Sequence, residues 1–485
     1  MRTIGRDFGD TARKVYAVAS GALPNGVPVA VKSDGTVGQI GGDILGSTVT
    51  YESGDATANF MTYDTSNDKV VIAYRDGFNS NFGTAVVGTV SGTSISFGTP
   101  VVFESAYTAN PSPVYDANAQ KIVIIYRDLG NNQYGTAIVG TVSGTGISFG
   151  SPVVFYSSGA CSVISAVYDA NAQKVVAAYQ AGGNGSQGYA IVGTVSGTSI
   201  SFGSQSNFEN AVTDAISASY DSNSNKVVIS YRDDGDSNKG KAIVGTVSGT
   251  NISYGSAVVF ESTNVIPLAG TSACFDSSNN KVVIAYRAEG DINKGKAVVG
   301  TVSGTSISFG TAAEFSSTAA INLATTFDTT ANKVVINFRA DGDSNKGKFA
   351  IGEVSGTSIS FTSPVNYAAS VYADNQAVTY DPDENRIVLA YRDVTNSQIG
   401  RSLVVKLGTA EALTAENYIG ITPSAYPDGA GAEIQTKGAV NEEQSGLTAG
   451  QSYYVQTDGT IGTTAGDPSV FAGTAVSATK IIVKG

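Results

Sequence analysis

The residues that could do chemistry in this chain are few, and most of them recur at a nearly fixed interval. Histidine is absent, so no Ser/His/Asp relay and no HExxH zinc site can be built, and the usual general base near neutral pH is missing. Glycoside hydrolysis needs two facing carboxylates. Asp214 and Asp374 are isolated acids with no evident partner, so the chain is expected not to be an enzyme and has no candidate catalytic residue.

A second candidate is the stretch DGDSNKG at 234–240 and again at 341–347, where Asp234, Asp236 and Asn238 have the spacing of the first ligands of a calcium loop. The glycine stands at position 7 of the loop instead of 6, and no glutamate follows at position 12. A polar hairpin is therefore expected, with no metal and no cofactor. Arg75, Arg127, Arg232, Arg287, Arg339 and Arg392, with Gln180 in the equivalent place, could form a ring for acidic sugars. Their presence in nearly every repeat points instead to pairing or stacking within each repeat. Phe78, Phe82, Tyr107, Tyr134, Tyr156 and Tyr372 fall in segments that differ from repeat to repeat, and aromatic rings exposed there would be platforms for the C–H faces of sugars. These six are the ligand-binding candidates.

What positions them is a tandem repeat. A Tyr/Phe-Asp pair recurs at 63, 115, 168, 220, 275, 327 and 380, at intervals of 52, 53, 52, 55, 52 and 53 residues, which makes seven copies. Each copy holds four runs rich in Val, Ile, Tyr, Phe and Thr, separated by Gly, Asn, Asp and Ser. In copy 4 these are SASYD (217–221, strand a), KVVISYRD (226–233, b), GKAIVGTVSG (240–249, c) and ISYGSAVVFES (252–262, d). A four-stranded unit of about 50 residues is the sequence pattern of a β-propeller blade. Small residues such as Ser217, Ala218 and Ser219 suit strand a to a crowded axis.

Copy 7 has strands a, b and c but no d, while GSTVTYES (46–53) stands alone before copy 1 and matches GSAVVFES (255–262). The orphan is expected to be the outer strand of the last blade, closing a seven-bladed propeller over 44–409. Its a-b turns and its SGTS-type c-d turns are nearly constant. The b-c and d-a segments diverge, so one face is expected to be a constant scaffold and the other a variable surface. The closure puts both flanking linkers on the constant face. The aspartates heading the a-b turns are expected to cap turn amides.

Residues 1–40 and 410–485 flank the propeller, and within them 14–40 and 416–485 share a vocabulary, VKSDGTVGQI against VQTDGTIGTT, each a short pair of strands around an Asp-Gly turn. One small β-barrel or sandwich built from both ends, with the propeller inserted, is expected; a continuous C-terminal barrel with a disordered N-terminus is the alternative. With 41 acidic against 29 basic residues the net charge is −12, which disfavours nucleic acid and anionic lipid and leaves neutral or polar partners such as glycans. Cys161 and Cys274 occupy different positions of different copies and are expected to be unbridged thiols. Neither a secretory apolar core at the start nor any stretch approaching 18 apolar residues occurs, so a soluble protein made in a cytoplasm is expected, with no membrane insertion.

The repeat text KVVIAYRD…GTAVVGTVSGTSISFG and the terminal text YIGITPSAYPDGAGAEI…GLTAGQSYYVQTDGTIGTT…AGTAVSATKIIVKG resemble tail-fibre and virion-surface proteins of marine tailed bacteriophages, cyanophage types especially. The terminal text is also similar to small phage capsid-decoration barrels. The resemblance implies a virion-surface location and a terminal module joined to other virion proteins. It also implies many copies per particle, or a homo-oligomer, and a propeller facing a host surface glycan or receptor. A decoration or spike protein without a specific ligand is the alternative, and a polysaccharide-degrading propeller glycosidase a second one.

Overall fold

In a computed structural model the described residues are 13–20, 23–32, 35–41, 43–266, 270–289, 293–368, 371–407, 413–427, 429–456 and 459–484; they form an all-β protein with no α-helix among them. Two compact units are present, Leu45–Val405 and a unit made of the residues up to Ile44 and from Lys406 on.

Within Leu45–Val405 each copy is an antiparallel meander. In copy 4 the strand Ser206–Asp221 pairs with Lys226–Asp233, which pairs with Lys239–Ser248. The outer strand is split into Asn251–Tyr254 and Val258–Asn264, both on Lys239–Ser248, with the Gly255 amide bonded to Val244 O across the break. In Lys226–Asp233 the run Val227–Tyr231 is wholly buried, although successive side chains of a strand point to opposite faces. Both faces are covered because the sheets stack: Ile229 and Ile243 pack with Ala178 and Val192 of copy 3, while Val228 and Ala242 pack with Ile284 of copy 5.

Copy 7 packs on copy 1 in the same way, through Val388, Ala390 and Val404 against Ile72, Tyr74 and Val86. The orphan segment supplies the missing outer strand, with Val49 opposite Ser402, Thr50 opposite Arg401 and Glu52 opposite Gly400. Tyr51 meets Tyr74 edge-on at 5.4 Å between ring centres, as Phe260 meets Tyr286 at 5.2 Å. Gly46 occupies a place where a Cβ would lie 1.8 Å from Thr93 O, and Gly98 the equivalent place 1.9 Å from Thr145 O, so the backbones approach too closely for any side chain. The innermost strands, ending at Asp64, Asp116, Asp169, Asp221, Asp276, Asp328 and Asp381, touch in that order, and the last touches the first. No sheet closes on itself; the strands of this circuit meet by packing, not by a continuous ladder.

The small residues of strand a do more than relieve crowding. Ser112 Oγ accepts from Ala166 N, Ser165 Oγ from Ala218 N, Ser217 Oγ from Ala273 N and Ser272 Oγ from Thr325 N, at 2.9–3.0 Å, so each serine stitches its strand to the next copy. Copies 6, 7 and 1 carry Ala324, Ala377 and Phe60 there, and amides take over: Asn337 Nδ2 donates to Ala377 O, Asn59 Nδ2 to Asn375 O, and Ala58 N to Asn375 Oδ1.

One expectation is corrected. The d-a segments read as divergent loops are largely extended backbone: Val49–Asp64, Val101–Asp116, Ser206–Asp221 and Ala313–Asp328 each run unbroken from the outer edge of one copy to the inner edge of the next. Tyr107 is therefore a strand residue. The chain turns the corner at bulges, where the register shifts between Thr57 and Phe60 and between Asp214 and Ser217, for example.

In the other unit Lys14–Val18 pairs with Gly431–Gln435, and Pro28–Val31 pairs with both Val37–Gln39 and Tyr418–Ile421, so both ends of the chain share one sheet. A second sheet holds Ser452–Val455, Val470–Ala475 and Ile481–Val483. Ala30, Ile40 and Tyr418 pack against Val455 and Ala472 between the two sheets. Lys32 N bonds to Thr36 O at 2.9 Å and Gln456 N to Thr460 O at 2.8 Å; Asp34 and Asp458, where Asp-Gly turns are expected, lie outside the described residues.

Candidate functional site

Several chemically suggestive residues are committed to the scaffold. Asp221 is buried and its Oδ1 accepts from the amides of Asn223 and Ser224, both at 2.9 Å; Asp64, Asp116, Asp276, Asp328 and Asp381 do the same in their turns. The tyrosine before the aspartate latches onto the turn of the preceding copy. Tyr115 OH donates to Ser66, and Tyr63 OH donates to Asp383 of copy 7 at 2.6 Å. In the DGDSNKG loops Asp236 is bound by Lys239 at 2.8 Å and Lys241 at 2.9 Å, and Asp343 by Lys348 at 2.6 Å and Lys346 at 2.9 Å. These lysines hold both carboxyls below the usual carboxylate range. Cys161 and Cys274 are buried free thiols, and burial pushes Cys274 up to about 12.

The arginines differ from expectation, because several reach beyond their own copy. Arg75 donates to Thr57 Oγ1 in its copy but also to Tyr107 OH at 2.9 Å, with its guanidinium 5.0 Å from that ring. Arg392 pairs with Asp55 at 2.8 Å, Arg339 stacks on Tyr372 at 5.1 Å and binds Asp374 at 2.5 Å, and Gln180 donates to Thr213 O. The end of strand b lies beside the strand entering the next copy, so the longest side chain there bridges the junction. Asp374, expected to lack a partner, is held by Arg339, Arg392, Asn322 and Asn375. Asp214 accepts from Ala215 N at 2.7 Å.

Of the aromatic candidates, Phe78 is 72% exposed and Tyr107 39% exposed, and Phe82, Tyr134 and Tyr372 are half-buried. Tyr156 is corrected: it is 3% exposed, its hydroxyl accepts from Gly183 N at 2.9 Å, and it packs at 5.3 Å on Tyr179, so it belongs to the core. Phe78 and Phe82 stand at the b-c hairpin of copy 1, and Tyr107 on the strand that runs from copy 1 to copy 2. Phe82 pairs across the ladder with Tyr107, and Phe78 lies over Gly54, where a Cβ would stand 2.8 Å from its ring. The loop carrying Phe78 is fixed by Asp76, which accepts from Phe78 N and Asn79 N at 3.1 Å, and by Gly77 N bonding to Asp55 O at 2.7 Å. Tyr134 and Tyr372 stand in other copies.

A pocket of about 360 Å³, which sequence reasoning missed, lies among the bulges of strand a. Its rim is formed by a residue of left-handed backbone in each copy: Ala58, Asn110, Val163, Ala215, Gly270, Asn322 and Asn375, with φ between 48° and 72°. Each stands five residues before the Tyr/Phe-Asp pair. The signal was present, since Asn and Gly recur at this position and are the residues that best tolerate this conformation. A β-branched Val163 in the same place is strained. Beneath lies a smaller chamber of about 180 Å³ lined by Ser112, Ser165, Ser217 and Ser272, and Phe60 borders both.

No protein-family model and no curated protein matches the chain. Solved structures with some likeness include a protein of unknown function from Dyadobacter fermentans, 11% identical, with TM-score 0.46 over 76% of this chain and 100% of that one. AofleA from Arthrobotrys oligospora is 9% identical, with TM-score 0.44 over 72% and 98%. The SapL1 lectin in complex with alpha methyl fucoside is 15% identical, with TM-score 0.43 over 65% and 97%. A mutant of Trypanosoma rangeli sialidase displaying trans-sialidase activity is 10% identical, with TM-score 0.43 over 82% and 59%.

Proposed function

We propose that this chain is a non-enzymatic, glycan-binding surface protein of a phage virion, a tail fibre or comparable appendage. Its repeat unit is read as a seven-bladed β-propeller and its terminal unit as the β-barrel or sandwich that attaches it to other virion proteins. The circuit of innermost strands and the pairing of Val49–Glu52 with 400–402 support the closed propeller. The virion setting rests on the resemblance of the repeat and terminal text. The non-enzymatic reading is supported by Asp374, whose carboxylate is engaged by two arginines and two asparagines.

The observation that carries glycan binding is the exposed ring of Phe78, with Phe82 and Tyr107 paired across the neighbouring ladder. An exposed ring such as Phe78, on a loop already fixed by Asp76 and Asp55, binds a sugar face without first being ordered, which keeps the entropic cost of binding low. Single-site affinity would be modest and raised by many copies per particle. Glycan arrays probed with the full chain test this: specific retention is expected, weakened about tenfold by Phe78→Ala or Tyr107→Ala. Failure to retain any glycan, together with binding to capsid, would favour a decoration protein, and turnover of surface polysaccharide would favour a glycosidase.

A further inference from the structure

We infer that the axial pocket is a second ligand site, built for one neutral, hydroxyl-rich sugar ring, with Phe60 as its stacking platform and Asn59 as its principal acceptor. This goes beyond the surface aromatics Phe78, Phe82 and Tyr107 and stands or falls separately.

Three observations carry it. Copy 1 alone among the described copies departs from small residues at the innermost position. Where copies 2 to 5 have Ser112, Ser165, Ser217 and Ser272, it has Phe60, 38% exposed although it borders both chambers. An aromatic face open within a concave site is suited to the C–H face of a pyranose. Its neighbour Asn59 lines the pocket, is only 2% exposed, and its Oδ1 has no hydrogen-bond partner, while its Nδ2 is occupied by Asn375 O. A buried carbonyl in that state is complete only when a ligand hydroxyl or water donates to it.

Charge then selects the ligand. Asp214 contributes a carboxylate, and no lysine or arginine lines the pocket among the described residues. Arg232, opposite Asp214 in the ladder, is turned to Asp234 at 3.0 Å and Asn238 at 2.7 Å. An anionic sugar would meet an uncompensated carboxylate, whereas a neutral one finds amides that both donate and accept. The volume of about 360 Å³ falls in the range of small-ligand sites.

Titration calorimetry and saturation-transfer NMR on the full chain would test this with methyl gluco-, galacto- and mannopyranosides and with methyl glucuronoside. At least one neutral hexoside is expected to bind saturably, with the uronoside about tenfold weaker or more. Phe60→Ser and Asn59→Ile install residues that other copies carry at these positions, Ser217 and Ile216 for instance, so folding should survive. Each is expected to lower hexoside affinity about tenfold. Asp214→Asn should bring the uronoside close to the hexosides. The assignment is overturned if no hexoside binds saturably, if the wild-type chain binds the uronoside equally well, or if both pocket variants keep full affinity.

Discussion

Asp221 and its counterparts illustrate how a residue with catalytic potential is spent on structure. A buried carboxylate accepting two backbone amides satisfies donors that a tight turn cannot pair internally, and its charge strengthens both bonds. Asp221→Ala leaves two turn amides without that acceptor. A loss of about 1–3 kcal/mol is expected in urea unfolding; an unchanged midpoint would mean that water replaces the cap at no cost. The aromatic candidates teach the converse. Tyr156 and Phe78 both lie in segments that vary between copies, and the first is core while the second is exposed. What separates them is a partner, the Gly183 amide and Tyr179 for one and bare Gly54 for the other.

At the scale of elements, the strands that cross from one copy to the next make the pocket, because each must turn a corner and does so at a left-handed residue. The b-c hairpins are local and electrostatic instead. In the loops around Asp236 and Asp343 the carboxyls are held low by their lysines. A depressed folded-state pKa means that the contribution is present above the ordinary carboxyl value of 3.8 and is lost as pH falls through the lower, folded value. Amide exchange of residues 235–238 is thus expected to keep its protection from pH 7 to 5 and to lose it only in stronger acid or at high salt. Protection that is already lost at pH 5 would contradict the assignment.

For the whole molecule the decisive contact is the one between the two ends of the repeat unit. If Gly46 closes the array as Gly98 joins ordinary neighbours, Gly46→Val and Gly98→Val should cost alike, by about 1–3 kcal/mol, since both thrust a side chain into a backbone carbonyl. Thermal unfolding of the two variants side by side measures this. A Gly46 variant as stable as the wild type would show that the ends do not meet.

The repeat itself was legible in the sequence, because strand periodicity and turn residues are local properties: the Tyr/Phe-Asp interval, the Val/Ile runs and the SGTS turns define the strands before any contact is known. The kinship of GSTVTYES with GSAVVFES likewise named the partner of the orphan strand, since identical positions in identical sheets demand the same sizes, Tyr51 for Phe260 and Gly46 for Gly255. Only the tertiary structure decided which candidates face solvent, which arginines bridge neighbouring copies, and that Asn59 and Phe60 meet at a pocket. Those facts depend on residues hundreds of positions apart being brought around one axis, and no periodicity along the chain records what lies across it.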